Sequence, residues 1–307
     1  MKHCRCAVVG AANIDIGGFP EGEVRLRDSN PGRVTLSAGG VGRNIACSLG
    51  RLGVETHLVA ALGCDAFADV IRADCARAGV TLDMAYAFEN AGSSAYLFIA
   101  GAEGDMELAV NDMSICSRLT PEALASRLVA LNAMDAVVLD ANLPRATITW
   151  LAEHLTVPVL ADAVSAAKAP RLSRVLNRLS AIKPNALEAG ILTGIAVEDD
   201  VSALSAARKL VNMGAQRVFV TLGARGVCCA DAKEALILTG VPVRLLNATG
   251  AGDAFTAALA WALLNGMGLR DCARAGLAAA SIAVEAIETV SPALNEEKLL
   301  ERMSFIK

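Results

Sequence analysis

Short apolar runs alternate with stretches of helical apolar spacing along most of the chain. Residues 6–10 form the first run, a buried strand that stops at a glycine. Residues 45–52 then space their apolar positions as a helix does, and a strand at 57–62 and a helix over 66–78 follow. From residue 121 the rhythm is regular: helix 121–132, strand 136–140, helix 145–154, strand 157–161. A strand at 217–222, strand-like runs at 227–230 and 235–238, and helices over 256–264, 271–286 and 296–303 complete the chain. Strands alternating with helices of this length predict an α/β fold, a doubly wound and mostly parallel sheet with helices on both faces.

Two segments break the rhythm. Residues 17–37 are polar and glycine-containing, with short alternating patches near 23–26 and 33–36, and the runs 94–99 and 106–111 are brief strands with no helix between them. Residues 17–38 and 86–112 are therefore expected to form one small β lid inserted into a single domain over 1–307. No internal repeat, low-complexity segment or linker interrupts it.

Composition narrows the class. A chain of 307 residues with 54% hydrophobic and 4% aromatic residues must build its core from Ala, Val, Leu and Ile, which suits buried strands and stacked helices. With 28 basic against 32 acidic residues and no long basic run, the chain is not expected to grip a nucleic-acid backbone. Mean hydropathy is high at +0.46, yet no uninterrupted apolar stretch reaches the roughly 18 residues of a spanning helix. Asn13 and Asp15 interrupt the apolar run at the N-terminus before it could serve as a signal-peptide core. Nine scattered cysteines without C-x-x-C pairs fit reduced thiols, so a cytoplasmic protein that binds small molecules is expected, with neither nucleic acid nor membrane as partner.

Polar residues collect where the strands end, and ligands bind at that edge of open α/β sheets. Asn13 and Asp15 follow the first strand, Asp140 and Asn142 a later one, Asp162 and Ser165 the next, and Lys183 precedes Asn185 and Glu188. The stretch 247–255, Asn-Ala-Thr-Gly-Ala-Gly-Asp-Ala-Phe, matters most. A turn of Gly250, Ala251 and Gly252 leaves backbone N–H groups uncovered where a helix aims its positive end, an anion hole with Asp253 beside it. Asp253 reads either as a simple N-cap or as a base poised to take a hydroxyl proton next to a transferring phosphoryl. Residues 39–44, Gly-Gly-Val-Gly-Arg-Asn, run straight into a helix, which is a tight turn or a place where a ligand approaches the backbone. Asn185 and Glu188 have the spacing of a capping box; the same spacing puts two oxygen donors on one helical face, suitable for a hydrated Mg²⁺.

Taken in order, Asn13-Ile-Asp15, the run 39–44, Asn185 with Glu188, Thr221-Leu-Gly223 and the run 250–253 resemble the ribokinase-like (PfkB-type) carbohydrate kinases over nearly the whole length. There is no G-x-x-x-x-G-K-[ST] sequence, so a P-loop kinase is not indicated, and the G-x-G at 250–252 stands in the wrong context for a dinucleotide fold. Within the family, residues 28–34, Arg43 in the glycine run, residues 110–113 and residues 162–168 are similar to the subgroup acting on pseudouridine.

The resemblance implies an ATP- and Mg²⁺-dependent kinase for a nucleoside 5′-hydroxyl. Asp253 would be the base, with Gly250, Ala251 and Gly252 forming the anion hole. Asp15, Gly39, Gly40, Arg43 and Asn44 would hold the ribose side, and Asn13, Asn111, Asp112 and Lys168 the base side or phosphate. Thr221, Gly223 and Gly226 would line the ATP site, and Asn185 and Glu188 would position Mg²⁺ through water. Many members carry an aspartate where Asn247 stands, in a loop that holds a monovalent cation; an amide lacks that charge, so potassium activation carries over only in part. Homodimers paired through the lid also occur in the family. Other readings are a kinase for uridine, adenosine or ribose, a sugar-phosphate kinase using Arg25, Arg27, Arg33 and Arg43, and a non-catalytic nucleoside-binding regulator.

Overall fold

The computed structural model describes residues 4–101 and 105–307, so residues 102–104 of the expected lid and residues 1–3 lie outside it. Among the described residues nine strands form the main sheet. Their order is Ala235–Leu238, Val227–Asp231, Arg217–Thr221, Ala181–Lys183, Val159–Asp162, Ala136–Asp140, Arg5–Val9, Glu55–Val59 and Val80–Thr81. Seven run parallel, from Val80–Thr81 to Arg217–Thr221, and Val227–Asp231 and Ala235–Leu238 are antiparallel additions at one edge.

The first strand shows why the sheet is covered twice. Cys6 and Val8 enter one apolar layer and Ala7 and Val9 the other, all fully buried. A strand that is apolar on both faces needs helices on both. The helices Val41–Arg51, Ala251–Leu264 and Leu269–Val284 lie in one layer, while Arg145–His154 and Asp200–Asn212 lie in the other. The chain leaves Arg5–Val9 toward Glu55–Val59 on one side and returns to Ala136–Asp140 on the other. The crevice at this reversal lies at the C-terminal ends of those two central strands, where Gly10 packs against Asp140. Among the described residues no helix is long and apolar enough to cross a membrane.

A second sheet of four strands takes the order Gly32–Gly39, Asn13–Pro20, Ser94–Ala100 and Met106–Asp112. Its first strand begins at Asn13, earlier than the expected boundary at 17, because only Gly10, Ala11 and Ala12 separate it from the main sheet. Tyr86–Phe88 pairs instead with Ala61–Gly63, so that part of 86–112 stands apart from the four strands. The expected helix 121–132 divides into Pro121–Ala125 and Leu128–Asn132. The helix expected from residue 45 starts at Val41, which brings Gly42, Arg43 and Asn44 into its first turn. Gly42 permits this, since a Cβ there would come within 2.9 Å of the Ala11 nitrogen.

Candidate active site

The helix Ala251–Leu264 opens at Gly250, which has φ +85°; a Cβ there would run into the Thr289 carbonyl. No side chain caps this helix, so its first-turn N–H groups face the crevice. Asp253 sits in that turn, half-buried, and accepts a hydrogen bond from Asn44 Nδ2 at 2.7 Å. Burial and then the nearby Asp162 push the Asp253 carboxyl up to about 7, against the pull of the Asn44 amide and Lys183. A carboxylate of that basicity exchanges protons near neutral pH. The amide oxygen of Asn44, Oδ1, is buried and meets no donor among the described residues. An unsatisfied acceptor there calls for an O–H or N–H from a ligand.

The second sheet roots the opposite wall. Asn13 donates to Asp15 Oδ1 at 2.7 Å, and burial raises the Asp15 pKa while Asn13 and Arg43 oppose the rise. Gly39 pairs with Asn13 in register, and a Cβ on Gly39 would strike the Asp15 carboxylate. Gly40, at φ +95°, turns the chain into the helix Val41–Arg51. Paired residues share a face, so Asp15, Ser37, Tyr96 and Asn111 stand on one side of the sheet. Thr35 and Phe98 join them through Gly17, and Phe19 stands two residues further along. Phe19 and Phe98 meet edge to face at 5.8 Å, with Arg33 over the Phe19 ring at 4.5 Å. A cavity of about 930 Å³ opens against this face, with Asp15, Thr35, Tyr96, Phe98 and Thr249 in its walls. It extends toward Arg51 and Arg77 and stops short of Asp253, so hydrogen bonds define the reactive end better than this volume does.

Three expected ligands also have partners within the fold. Arg43 is buried and its guanidinium is engaged within the fold, by Asp74 at 2.6 Å, by the Gly39 carbonyl at 3.3 Å and by the Ala38 carbonyl. It braces the glycine turn from behind. Asp112 pairs with Ala95 and so stands on the face opposite Asn111, where it accepts from the Ser114 N–H. Lys168, half-buried, donates to Asn142 Oδ1 beside Asp140; burial lowers its pKa despite the Asp140 charge.

On the far side of the crevice, Asn185 and Glu188 form the complete capping box. Glu188 N–H donates to Asn185 Oδ1 at 2.9 Å, and the Asn185 N–H and Nδ2 donate to the two Glu188 oxygens at 2.8 and 2.9 Å. Burial raises the Glu188 pKa against the Asn185 N–H and the Lys183 charge. Thr221 is bridged to Asn185, and Gly223 at φ +62° opens into free space, whereas a Cβ on Gly226 would meet the Leu238 carbonyl. Asn247 spends its amide on the Ile287 carbonyl and the Thr249 N–H, both at 2.9 Å. No group of three or more His, Cys, Asp or Glu is placed to cage a metal among the described residues.

Sequence position marked Asp140, Asp162 and Lys183 as strand-end residues without roles. In the structure they form the buried floor. Asp140 accepts from the Ala11 and Asn142 N–H groups, both at 2.8 Å, and burial raises its pKa. Asp162 Oδ2 accepts from Thr256 at 2.6 Å and faces Lys183 Nζ at 3.0 Å. The aromatic residues Phe19, Tyr96 and Phe98 were missed; strand alternation with Asp15 was the signal that could have found them.

A half-buried carboxylate at a helix N-terminus, uncapped N–H groups beside it and a second sheet carrying polar and aromatic groups are the parts that small-molecule phosphotransfer requires. The model of the pfkB family of carbohydrate kinases matches residues 4–296, and the chain belongs to that family. It is 32% identical over 290 residues to the pseudouridine kinase of Escherichia coli K12, which covers 94% of this chain and 93% of that protein. It is also 32% identical over 305 residues to YeiI, an uncharacterized sugar kinase of the same organism, with 98% and 84% covered. The ribokinase of Arabidopsis thaliana, solved with ribose and ATP, superposes with a TM-score of 0.90 at 25% identity, covering 99% of this chain and all of that one.

Proposed function

We propose that the protein transfers the γ-phosphoryl of ATP to the 5′-hydroxyl of pseudouridine. The observation that carries the kinase step is the Asn44–Asp253 pair at the mouth of the anion hole, one group ready to take a proton and one lacking a donor. Asp253 takes the hydroxyl proton as O5′ forms its bond to Pγ. The bond from Pγ to the bridging oxygen breaks, and its electron pair leaves with ADP. The N–H groups of the turn at Gly250, Ala251 and Gly252 meet the charge on the transferring phosphoryl. Asp15, Asn44 and the glycine pair Gly39 and Gly40 hold the ribose, a carboxylate and an amide answering vicinal hydroxyls in complementary ways.

The choice of nucleoside rests on likeness to the E. coli pseudouridine kinase and on the aromatic face, which offers a stacking surface for a base that a free sugar would not use. Asn13 and Asn111 offer amides to it. Thr221, Gly223 and Gly226 take the nucleotide. Each Glu188 oxygen accepts one hydrogen bond in the capping box and keeps a second lone pair, which fits a hydrated Mg²⁺ better than a bare one. When bound, that ion supplies charge screening on the ATP phosphates.

The second sheet acts as a lid that excludes water. Its outer face carries Val34, Leu36, Leu97, Leu108 and Val110, all exposed, and a second copy of the chain is the partner this reading assigns to it. The experiment is ADP release with Mg-ATP, comparing kcat/KM for pseudouridine, uridine, adenosine and ribose. A preference for pseudouridine of about 100-fold or more over ribose is expected from a site with buried polar readout. A preference for ribose or another nucleoside overturns the substrate, and no turnover of any of them overturns the kinase step.

A further inference from the structure

Lys183 ends the strand Ala181–Lys183 at the floor of the crevice and is buried. Its acceptor among the described residues is Asp162 Oδ2 at 3.0 Å. Asp162 also accepts from Thr256 at 2.6 Å and from the Val164 N–H at 2.9 Å, so the lysine is not its sole partner. The same Thr256 hydroxyl lies 3.1 Å from the Gly252 carbonyl, the longer branch of one shared hydrogen, which ties this group to the turn before Asp253. A Cβ on Gly252 would lie 2.9 Å from Lys183 Nζ, so the glycine leaves the ammonium uncovered on the side of the free N–H groups.

An ammonium has three N–H donors, and a neutralising partner for Asp162 needs only one. We propose that Lys183 is a catalytic residue whose ammonium contacts the γ-phosphoryl, between Asp253 on the acceptor side and Asn185 with Glu188 on the nucleotide side. Asp162 and Thr256 are positioning residues that hold it there. The inference rests on the kinase reading but concerns the donor half of the site, so it can be tested without an acceptor.

The first measurement compares binding of Mg-AMP-PNP and Mg-ADP to the native protein and to Lys183→Met. The native protein should prefer the triphosphate analogue, and the variant should lose that preference by roughly 10- to 100-fold, the worth of a charge-assisted contact, with ADP affinity changed by less than about twofold. The alternative role is balancing the buried Asp162 charge. Lys183→Met/Asp162→Asn separates the two, because it removes both charges, keeps an acceptor for the Val164 N–H, and offers an amide N–H to the Thr256 hydroxyl, which retains the Gly252 carbonyl as its own acceptor. Its melting temperature should recover toward native, while the AMP-PNP preference and, with whichever acceptor turns over, kcat stay low.

An unchanged AMP-PNP to ADP ratio in Lys183→Met overturns the proposal, as does recovery of the ratio or of kcat in the double variant. A native protein that lacks the triphosphate preference also overturns it. If the preference is lost on mutation but no acceptor turns over, the lysine assignment stands and the acceptor reading fails.

Discussion

Asn44 donates one hydrogen bond to Asp253 at 2.7 Å while its own carbonyl oxygen lies buried without a donor. One side chain thus steadies the base and keeps an acceptor open for the group that the base deprotonates. Asn44→Leu should lower kcat/KM for the acceptor by roughly 10- to 100-fold, since a hydrogen bond to a charged group contributes about 1.5–3 kcal/mol. The Asn44 amide pulls the Asp253 pKa down, so its loss should also shift the acid limb of the rate profile to higher pH. Steady-state kinetics from pH 5 to 9 read both effects, and an unmoved acid limb would separate Asn44 from the base.

Asp253 should cost stability in return for activity. Its carboxyl is raised from the ordinary 3.8 to about 7, so the folded protein binds this proton more tightly than the unfolded chain does. The stabilisation from protonation is complete below about pH 4 and is lost as pH rises toward 7. Asp253→Asn should therefore melt several degrees above the native protein at pH 8, with the gap closing toward pH 4. Its kcat should fall by at least about 100-fold, the usual scale for a missing general base. Equal melting curves at pH 8 would show that the carboxylate is not under strain.

Two glycines separate backbone conformation from crowding. Gly53 has φ +81° with nothing within 4 Å of a built Cβ, whereas Gly250 has φ +85° and faces the Thr289 carbonyl. Gly53→Ala should cost roughly 1 kcal/mol and leave turnover intact. Gly250→Ala adds a clash at the anion hole and should reduce kcat by about 100-fold or more. Chemical denaturation together with kinetics tells the two apart; equal losses of kcat would mean that the turn at Gly250 is not the phosphoryl site.

Tyr96 and Leu97 are neighbours on opposite faces of the lid. Tyr96→Ala should raise KM for a nucleoside by roughly 10-fold, the scale of one lost stacking contact, and change ribose much less. Leu97→Glu should leave the monomer folded and shift its mass in light scattering from dimer to monomer. A dimer that survives Leu97→Glu together with Leu36→Glu would remove the outer face as its contact.

The layered α/β frame could be read from the sequence because strands such as Arg5–Val9 are apolar on both faces and helices follow at regular intervals. Asp253 was legible for a local reason, since a glycine turn opening a helix places its carboxylate without help from distant residues. Lys183 and Asp162 were not assigned, because their meaning depends on the register that sets Asp162 beside Lys183 on paired strands and on Thr256 arriving from a helix distant in sequence. The partners of Arg43 were hidden in the same way. Its neighbours in sequence are the glycines of the site, but its partner Asp74 belongs to the next helix, and only the packing of the two helices decides where the guanidinium goes. The role of Asp112 turned on register, which a run of alternating residues without a marked turn leaves open.

That register sets how freely the lid can vary. Asp15, Tyr96 and Asn111 look one way and Leu36, Leu97 and Val110 the other only because the four strands are paired as they are. A change of length between Pro20 and Gly32 would leave the alternation untouched, since it falls beyond the last paired residues. One residue inserted within Asn13–Pro20 would send the carboxylate outward and turn grease inward. The lid is in that sense a two-sided print, and a shift of a single position exchanges its polar and aromatic side with its aliphatic one.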